Sequence, residues 1–184
     1  MTSVHLEHDW FSRQLPANIR LGEGCWLYSS YAFAHYASNS SSGLCVGQNT
    51  GLYHGTFFDL GPKAEVTIGD FCSLVGVIFA TNGRVTIDDF TFIAHEVVIA
   101  DSPWSLPGSN GGLSERSLTP STIEIGRNVW IGAQANLIGN VRIGDGAIIG
   151  AGTLVTQDVP PFTLSAGNPM RLLRTLRGGH ISSN

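Results

Sequence analysis

Six histidines are the residues best suited to move a proton near neutral pH: His5, His8, His35, His54, His95 and His180. Imidazole titrates between about pH 5 and 8, and serves as general base, proton shuttle or metal ligand. A metal would need three ligands to converge, and the only pair a few residues apart is His5 and His8 at the N-terminus, so no metal is expected. No His occurs between residues 96 and 179, and His95 and His54 are the candidates for a base. Either Asp101 or Glu96 can orient an imidazole through a carboxylate hydrogen bond. Cys25, Cys45 and Cys72 are an odd set without CxxC spacing and read as thiols in a reducing compartment.

These residues must be positioned by a repeat. From Ile125 to Val155 an aliphatic residue recurs every six positions: Ile125, Ile131, Leu137, Ile143, Ile149 and Val155. Gly126, Gly132, Gly144 and Gly150 follow four of them. A period of six fits neither the 3.6 of an amphipathic helix nor the 2 of a half-buried strand. Three hexads close one triangular coil, each supplying a short parallel strand and a turn, with a small residue next to the inward one where the chain bends. Extending the register backwards gives inward triplets Leu21/Leu27/Phe33, Val46/Leu52/Phe58, Ile68/Leu74/Ala80 and Ile87/Ile93/Ile99. His95 then lies two residues past Ile93, and Ala133 two past Ile131, so both share an outward column about one strand spacing apart, ~4.8 Å. His54 belongs to the same column two coils below, with Gly76 between. Outward positions on the flat faces include Leu60, Val75 and Val98.

The expected organisation is an N-terminal cap at 1–18, a coil at 19–157 and a C-terminal turn, helix and tail at 158–184. A polar loop interrupts it at 34–45, and a Ser-, Gly- and Pro-rich excursion at about 102–121 has the length and composition of a functional loop. With 23 Gly and 13% charged residues in 184, the chain suits stacked turns rather than a helical bundle. A net charge of -4 and a single lysine, Lys63, argue against a nucleic-acid partner. The N-terminus lacks the apolar centre of a signal peptide, and no apolar run approaches the ~20 residues of a membrane span, so a cytoplasmic protein is expected.

The hexads, followed by Asp158-Val159-Pro160-Pro161 and Ala166-Gly167-Asn168-Pro169, resemble the hexapeptide-repeat acyltransferases, most of all their maltose, galactoside and xenobiotic acetyltransferase branch. The resemblance implies an all-β, left-handed parallel β-helix with a short C-terminal helix; crossover rules alone would favour the right hand. It also implies a homotrimer with its sites in grooves between neighbours, acetyl-CoA or another acyl-CoA as co-substrate, and a small hydroxyl or amine acceptor. Carried over by position, Trp130, Gly132 and Ala133 lie near the thioester, with Gly150 and Ala151 along the pantetheine arm. Thr156, Gln157, Pro169, Arg171 and Arg174 lie toward the phosphates. Small residues leave backbone amides reachable, and Arg matches phosphate geometry; tight coils alone would also select the glycines and alanines.

One departure matters. That branch places its basic His about five residues after the coil ending at Ile99, where this chain has Trp104. Indole cannot abstract a proton, so Trp104 reads, with Asp101 and His54, as part of the acceptor wall. The stretch Ile93-Ala94-His95-Glu96-Val97-Val98-Ile99 resembles the I-A-H motif of the lipid A acyltransferases, in which that His is the base. The alternative is a non-catalytic hexapeptide module that has lost its base.

Overall fold

The computed structural model describes residues 8–11, 13–101 and 121–176. Short strands wind into a three-faced coil. The first face stacks Ile19–Leu21, Leu44–Val46, Glu65–Ile68, Arg84–Ile87, Thr122–Ile125 and Val141–Ile143. The second stacks Trp26–Leu27, Gly51–Leu52, Ser73–Leu74, Phe92–Ile93, Trp130–Ile131, Ile148–Ile149 and Thr163–Ala166, with Arg171–Thr175 at its edge. The third stacks Phe57–Leu60, Ile78–Thr81, Val98–Ala100, Asn136–Ile138 and Leu154–Val155. Pairing between coils is parallel throughout.

The hexad register holds where it is densest: Ile125, Ile131, Leu137, Ile143, Ile149 and Val155 are each at most 2% exposed. Each stacks on its counterpart, as Ile131 does between Ile93 and Ile149. Burying one such side chain contributes roughly 1.5–3 kcal/mol, so the column is the main source of cohesion.

The register slips by one residue in the third coil. Phe79 rather than Ala80 points inward, pairing with Phe58 and Ile99 and stacking on Phe58 at 4.7 Å. The corner Val75–Val77 is a residue shorter than Ala94–Val97, so the following strand advances by one. Phe33, inward as expected, sits on a short 3-10 turn, Ser30–Phe33, and stacks on Phe58 at 5.3 Å. Leu60 is not outward but buried, because its strand runs on past Phe58 and alternation returns Leu60 to the inward side.

The glycines have a different reason from the one the repeat suggests. The bend is made three positions after the inward residue, where Asn49, Phe71, Phe90 and Asn128 occupy one corner, and Glu96 and Gln134 another, all with positive φ. The glycine directly after the inward residue is demanded by the next coil: a Cβ on Gly132 would stand 2.6 Å from the backbone nitrogen of Ala151.

Among the described residues the expected C-terminal helix is replaced by a strand. This strand, Arg171–Thr175, is antiparallel to Thr163–Ala166 and exposed along its length. The strand Thr163–Ala166 ends the stack with an open edge of amides and carbonyls, and pairing with that edge outweighs the helix propensity of Met170-Arg171-Leu172-Leu173.

Candidate functional site

The candidate residues gather along the corner between the second and third faces. The Ala94 amide donates to the Ile131 carbonyl at 3.0 Å, and the His95 carbonyl accepts from the Gln134 amide at 2.8 Å, so His95 stacks directly on Ala133. The Ala133 carbonyl in turn accepts from the Gly152 amide at 2.8 Å, which continues the column to Ala151. On the other side the Glu96 amide donates to the Gly76 carbonyl at 3.0 Å, with the His54 carbonyl close to Gly76 beyond it. The column His54–Gly76–His95–Ala133–Ala151 is therefore as the spacing requires.

The imidazole of His95 is exposed and makes no hydrogen bond to a described residue. Neither carboxylate considered as its orienter is aimed at it. Glu96 accepts from the side-chain amide of Gln134 at 2.9 Å, a rung between two left-handed corner residues. Asp101 lies at the next corner, where its carboxylate accepts from the Thr81 hydroxyl at 3.1 Å and the Asn82 amide at 2.6 Å. Trp104 and the rest of the excursion lie outside the described residues.

Among the described residues at this corner, the next coil takes the amides of Gly132 and Gly150 but not those of the alanines that follow them. The Gly132 amide donates to the Ile149 carbonyl at 2.8 Å and the Gly150 amide to the Ser165 carbonyl at 2.9 Å. The Gly150 carbonyl is also taken, by the Thr153 hydroxyl at 2.6 Å. The amides of Ala133 and Ala151 have no partner among the described residues and stand at the accessible corner, where an amide-bearing chain can accept from them. This distinction was not visible in the spacing, which marked glycine and alanine alike.

Trp130 projects from the second face, 56% exposed, in edge contact with Phe92 at 5.4 Å, two residues from Gly132. Arg171 pairs with Ala166, whose methyl group lies against Gly150, so its side chain leaves the backbone near the upper end of the column. Arg174 pairs with Leu164, farther across the second face, and Pro169 sits in the exposed turn between the strands. Thr156 and Gln157 are exposed at the corner between the third and first faces, one face away from Ala151.

Two features escaped the repeat analysis. At the lower end of the same corner, aromatic side chains including Trp10, Tyr28, Tyr53 and Phe57 surround a cavity of about 250 Å³ with His54 in its wall. The signal was present as aromatic residues just past the inward Leu27 and Leu52, but the hexad search scored only inward positions. The second is Asp9, which accepts from the Ser29 hydroxyl at 2.7 Å, the Ser30 amide at 2.8 Å and the Phe11 amide at 3.0 Å. Burial raises the pKa of this carboxyl, but those hydrogen bonds outweigh it and hold the group well below the usual carboxylate range.

Residues 122–157 match the model of the bacterial transferase hexapeptide family, described as six repeats. The galactoside O-acetyltransferase of Escherichia coli K12 is 33% identical over 156 residues, 85% of this chain and 63% of that protein. Putative acetyltransferases of Staphylococcus aureus are 44% identical over 54 residues, 29% of this chain and 27% of theirs. The chain thus spans less than two thirds of the length of these relatives. A hexapeptide-repeat acetyltransferase of Vibrio cholerae O1 biovar eltor, solved with acetyl coenzyme A, superposes with a TM-score of 0.62 at 26% identity, over 80% of this chain and 76% of that one. A mutant N-acyltransferase of Bacillus cereus, solved with dTDP and coenzyme A, reaches 0.66 at 20% identity over 86% and 84%, a likeness of fold alone.

Proposed function

We propose that this chain is a hexapeptide-repeat acyltransferase that moves an acyl group from the thioester of CoA to a hydroxyl or amine of a small acceptor, a reading supported by the family match over residues 122–157 and by the likeness to acetyltransferases. One observation carries the reading: the stack of His95 on Ala133 and Ala133 on Ala151, with Arg171 at its end. In this reading the column offers a proton acceptor, free amide donors and, from Arg171, a cation, which supports the order of a base, a pantetheine arm and a phosphate.

In this mechanism the imidazole of His95 takes the proton from the acceptor as its oxygen or nitrogen attacks the thioester carbonyl. A tetrahedral adduct forms, the carbon–sulfur bond breaks, and the leaving thiolate of CoA takes the proton back from the imidazolium. Trp130 and Ala133 flank the thioester, Gly132 and Gly150 let the coils close, and Ala151 meets the arm. Arg171 serves the phosphates, with Arg174, Pro169, Thr156 and Gln157 farther out. Asp101 shapes the adjoining corner rather than the base, and Trp104 and His54 bound the acceptor.

The protein works as a homotrimer in the cytoplasm. The third face supports the first part, because Ile78, Val98 and Ile138 look outward on it and Asp59 is the one charged residue in its described strands. The first face carries Arg84–Glu65 and Arg142–Glu124 ion pairs and suits water. Calorimetry with acetyl-CoA and turnover of His95→Ala test the reading together. The variant binds acetyl-CoA as the wild type does while turnover falls by about 10²–10⁴. Undiminished turnover moves the base elsewhere, and failure of the wild type to bind acetyl-CoA favours a non-catalytic module.

A further inference from the structure

We propose that the aromatic cavity beside His54 is an anchor for an uncharged aryl ring, and that the acceptor is an elongate molecule whose nucleophile lies about 10 Å from that ring. The length follows from the acyl-transfer reading, while the ring site stands on its own geometry. The cavity of about 250 Å³ opens between the first two coils and is walled by Trp10, Tyr28, Tyr31, Tyr53, Phe57 and His54.

These rings are not core. Trp10 is 69% exposed and Tyr31 46%, yet they are held in place by one another. Trp10 meets Tyr31 at 5.5 Å, Tyr31 meets Phe57 at 5.7 Å, and Tyr28 meets His54 edge-on at 4.9 Å. The ring of Tyr53 folds over Gly51, where any side chain would collide with it. Asp9 pins the segment bearing Trp10 to Ser29 and Ser30, so one wall of the cavity is fastened to the coil by two hydrogen bonds, with a third from the Phe11 amide closing the segment's own turn.

The chemistry of the lining selects the ligand. Aromatic side chains, His54 included, are half of its lining residues, and among the described residues neither Lys nor Arg takes part, which disfavours a phosphate or carboxylate. The carboxylate of Asp9 is turned to Ser29, Ser30 and Phe11, so among the described residues the cavity offers no counter-charge for a cation. Edge-to-face rings favour a further aromatic ring, offset or edge-on, over a fully hydroxylated one. The hydroxyls of Tyr28, Tyr31 and Tyr53 make no hydrogen bond to a described residue and can meet a heteroatom on the ring's rim.

The length comes from the column. His54 and His95 are two coils apart, roughly 10 Å at the strand spacing, and the corner between them is Gly76, which has no side chain to block the path. A ring in the cavity thus reaches the proposed base through a linker laid over Gly76.

The test uses the full chain. Ligand-observed NMR measures phenol and indole against methyl glucoside and choline, in wild type, Tyr53→Ala and Trp10→Ala. Phenol and indole bind in preference to the other two and compete with each other. Both variants weaken them by about tenfold while leaving acetyl-CoA affinity unchanged. The anchor is overturned if choline or methyl glucoside binds better, if ring binding survives both substitutions, or if phenol displaces acetyl-CoA. Phenylalkylamines of graded length then serve as acceptors. Transfer peaks where the amine lies about 10 Å from the ring, and the dependence on length vanishes in Tyr53→Ala. A flat profile in a protein that does transfer refutes the length. Absence of any transfer, with ring binding intact, sinks the acyl-transfer reading and the length resting on it, and leaves the anchor standing.

Discussion

Ile131 and Trp130 are neighbours in sequence on opposite sides of the coil wall, and substituting each by Asp tests the register directly. Ile131 is 0% exposed, clamped between Ile93 and Ile149. Truncating such an isoleucine to Ala costs about 2–5 kcal/mol, the transfer loss plus the cavity left behind. Aspartate adds the burial of a carboxylate without a partner, several kcal/mol more, or a large fraction of the roughly 5–15 kcal/mol that holds a domain together. Neighbouring coils cannot bypass the defect, because in a solenoid each coil is supported only by those above and below. Trp130 is 56% exposed and touches Phe92 by an edge, so Trp130→Asp loses about 1 kcal/mol or less. Urea unfolding followed by circular dichroism, at one fixed protein concentration because assembly contributes, reads the difference. Ile131→Ala lowers the midpoint by about 1–2 M, Ile131→Asp is unfolded without denaturant, and Trp130→Asp stays near the wild type. Equal losses for the two Asp variants would falsify the inward assignment.

Light scattering at micromolar concentration gives a mass near three times 19.6 kDa, and a monomer would remove the groove between neighbours. Arg171→Ala weakens CoA binding by about tenfold or more, and more than Arg174→Ala does, since only Arg171 starts beside the Gly150 corner; equal effects would contradict the placement. The depressed carboxyl of Asp9 stabilises the folded chain above its ordinary pKa of about 4, and that contribution is lost as pH falls through the lower folded value. Asp9→Asn therefore lowers the melting temperature at pH 7, and the gap to the wild type closes as the pH is lowered below 4. A gap independent of pH would show that the charge is not what matters.

The sequence by itself determined the solenoid, since a six-residue spacing of aliphatics can be buried in only one way, with three strands per turn and every inward residue stacked on its counterpart. It determined the column as well: once Ile93 and Ile131 share a register, His95 and Ala133 must share a corner. What the spacing could not hold is whatever depends on atoms brought from other coils. Phe79 replaces Ala80 inside because one corner is a residue shorter, which only strand pairing reveals. Arg171–Thr175 became a strand because an open edge lay beside it, an opportunity that local propensity does not record. Gly132 and Ala133 look alike as small residues, yet the neighbouring coil consumes one amide and leaves the other free. The aromatic cavity is the clearest case. Its walls come from Trp10, Tyr28, Tyr53 and Phe57, dispersed over the N-terminal segment and two coils, and only the stacking of those coils closes them around one space.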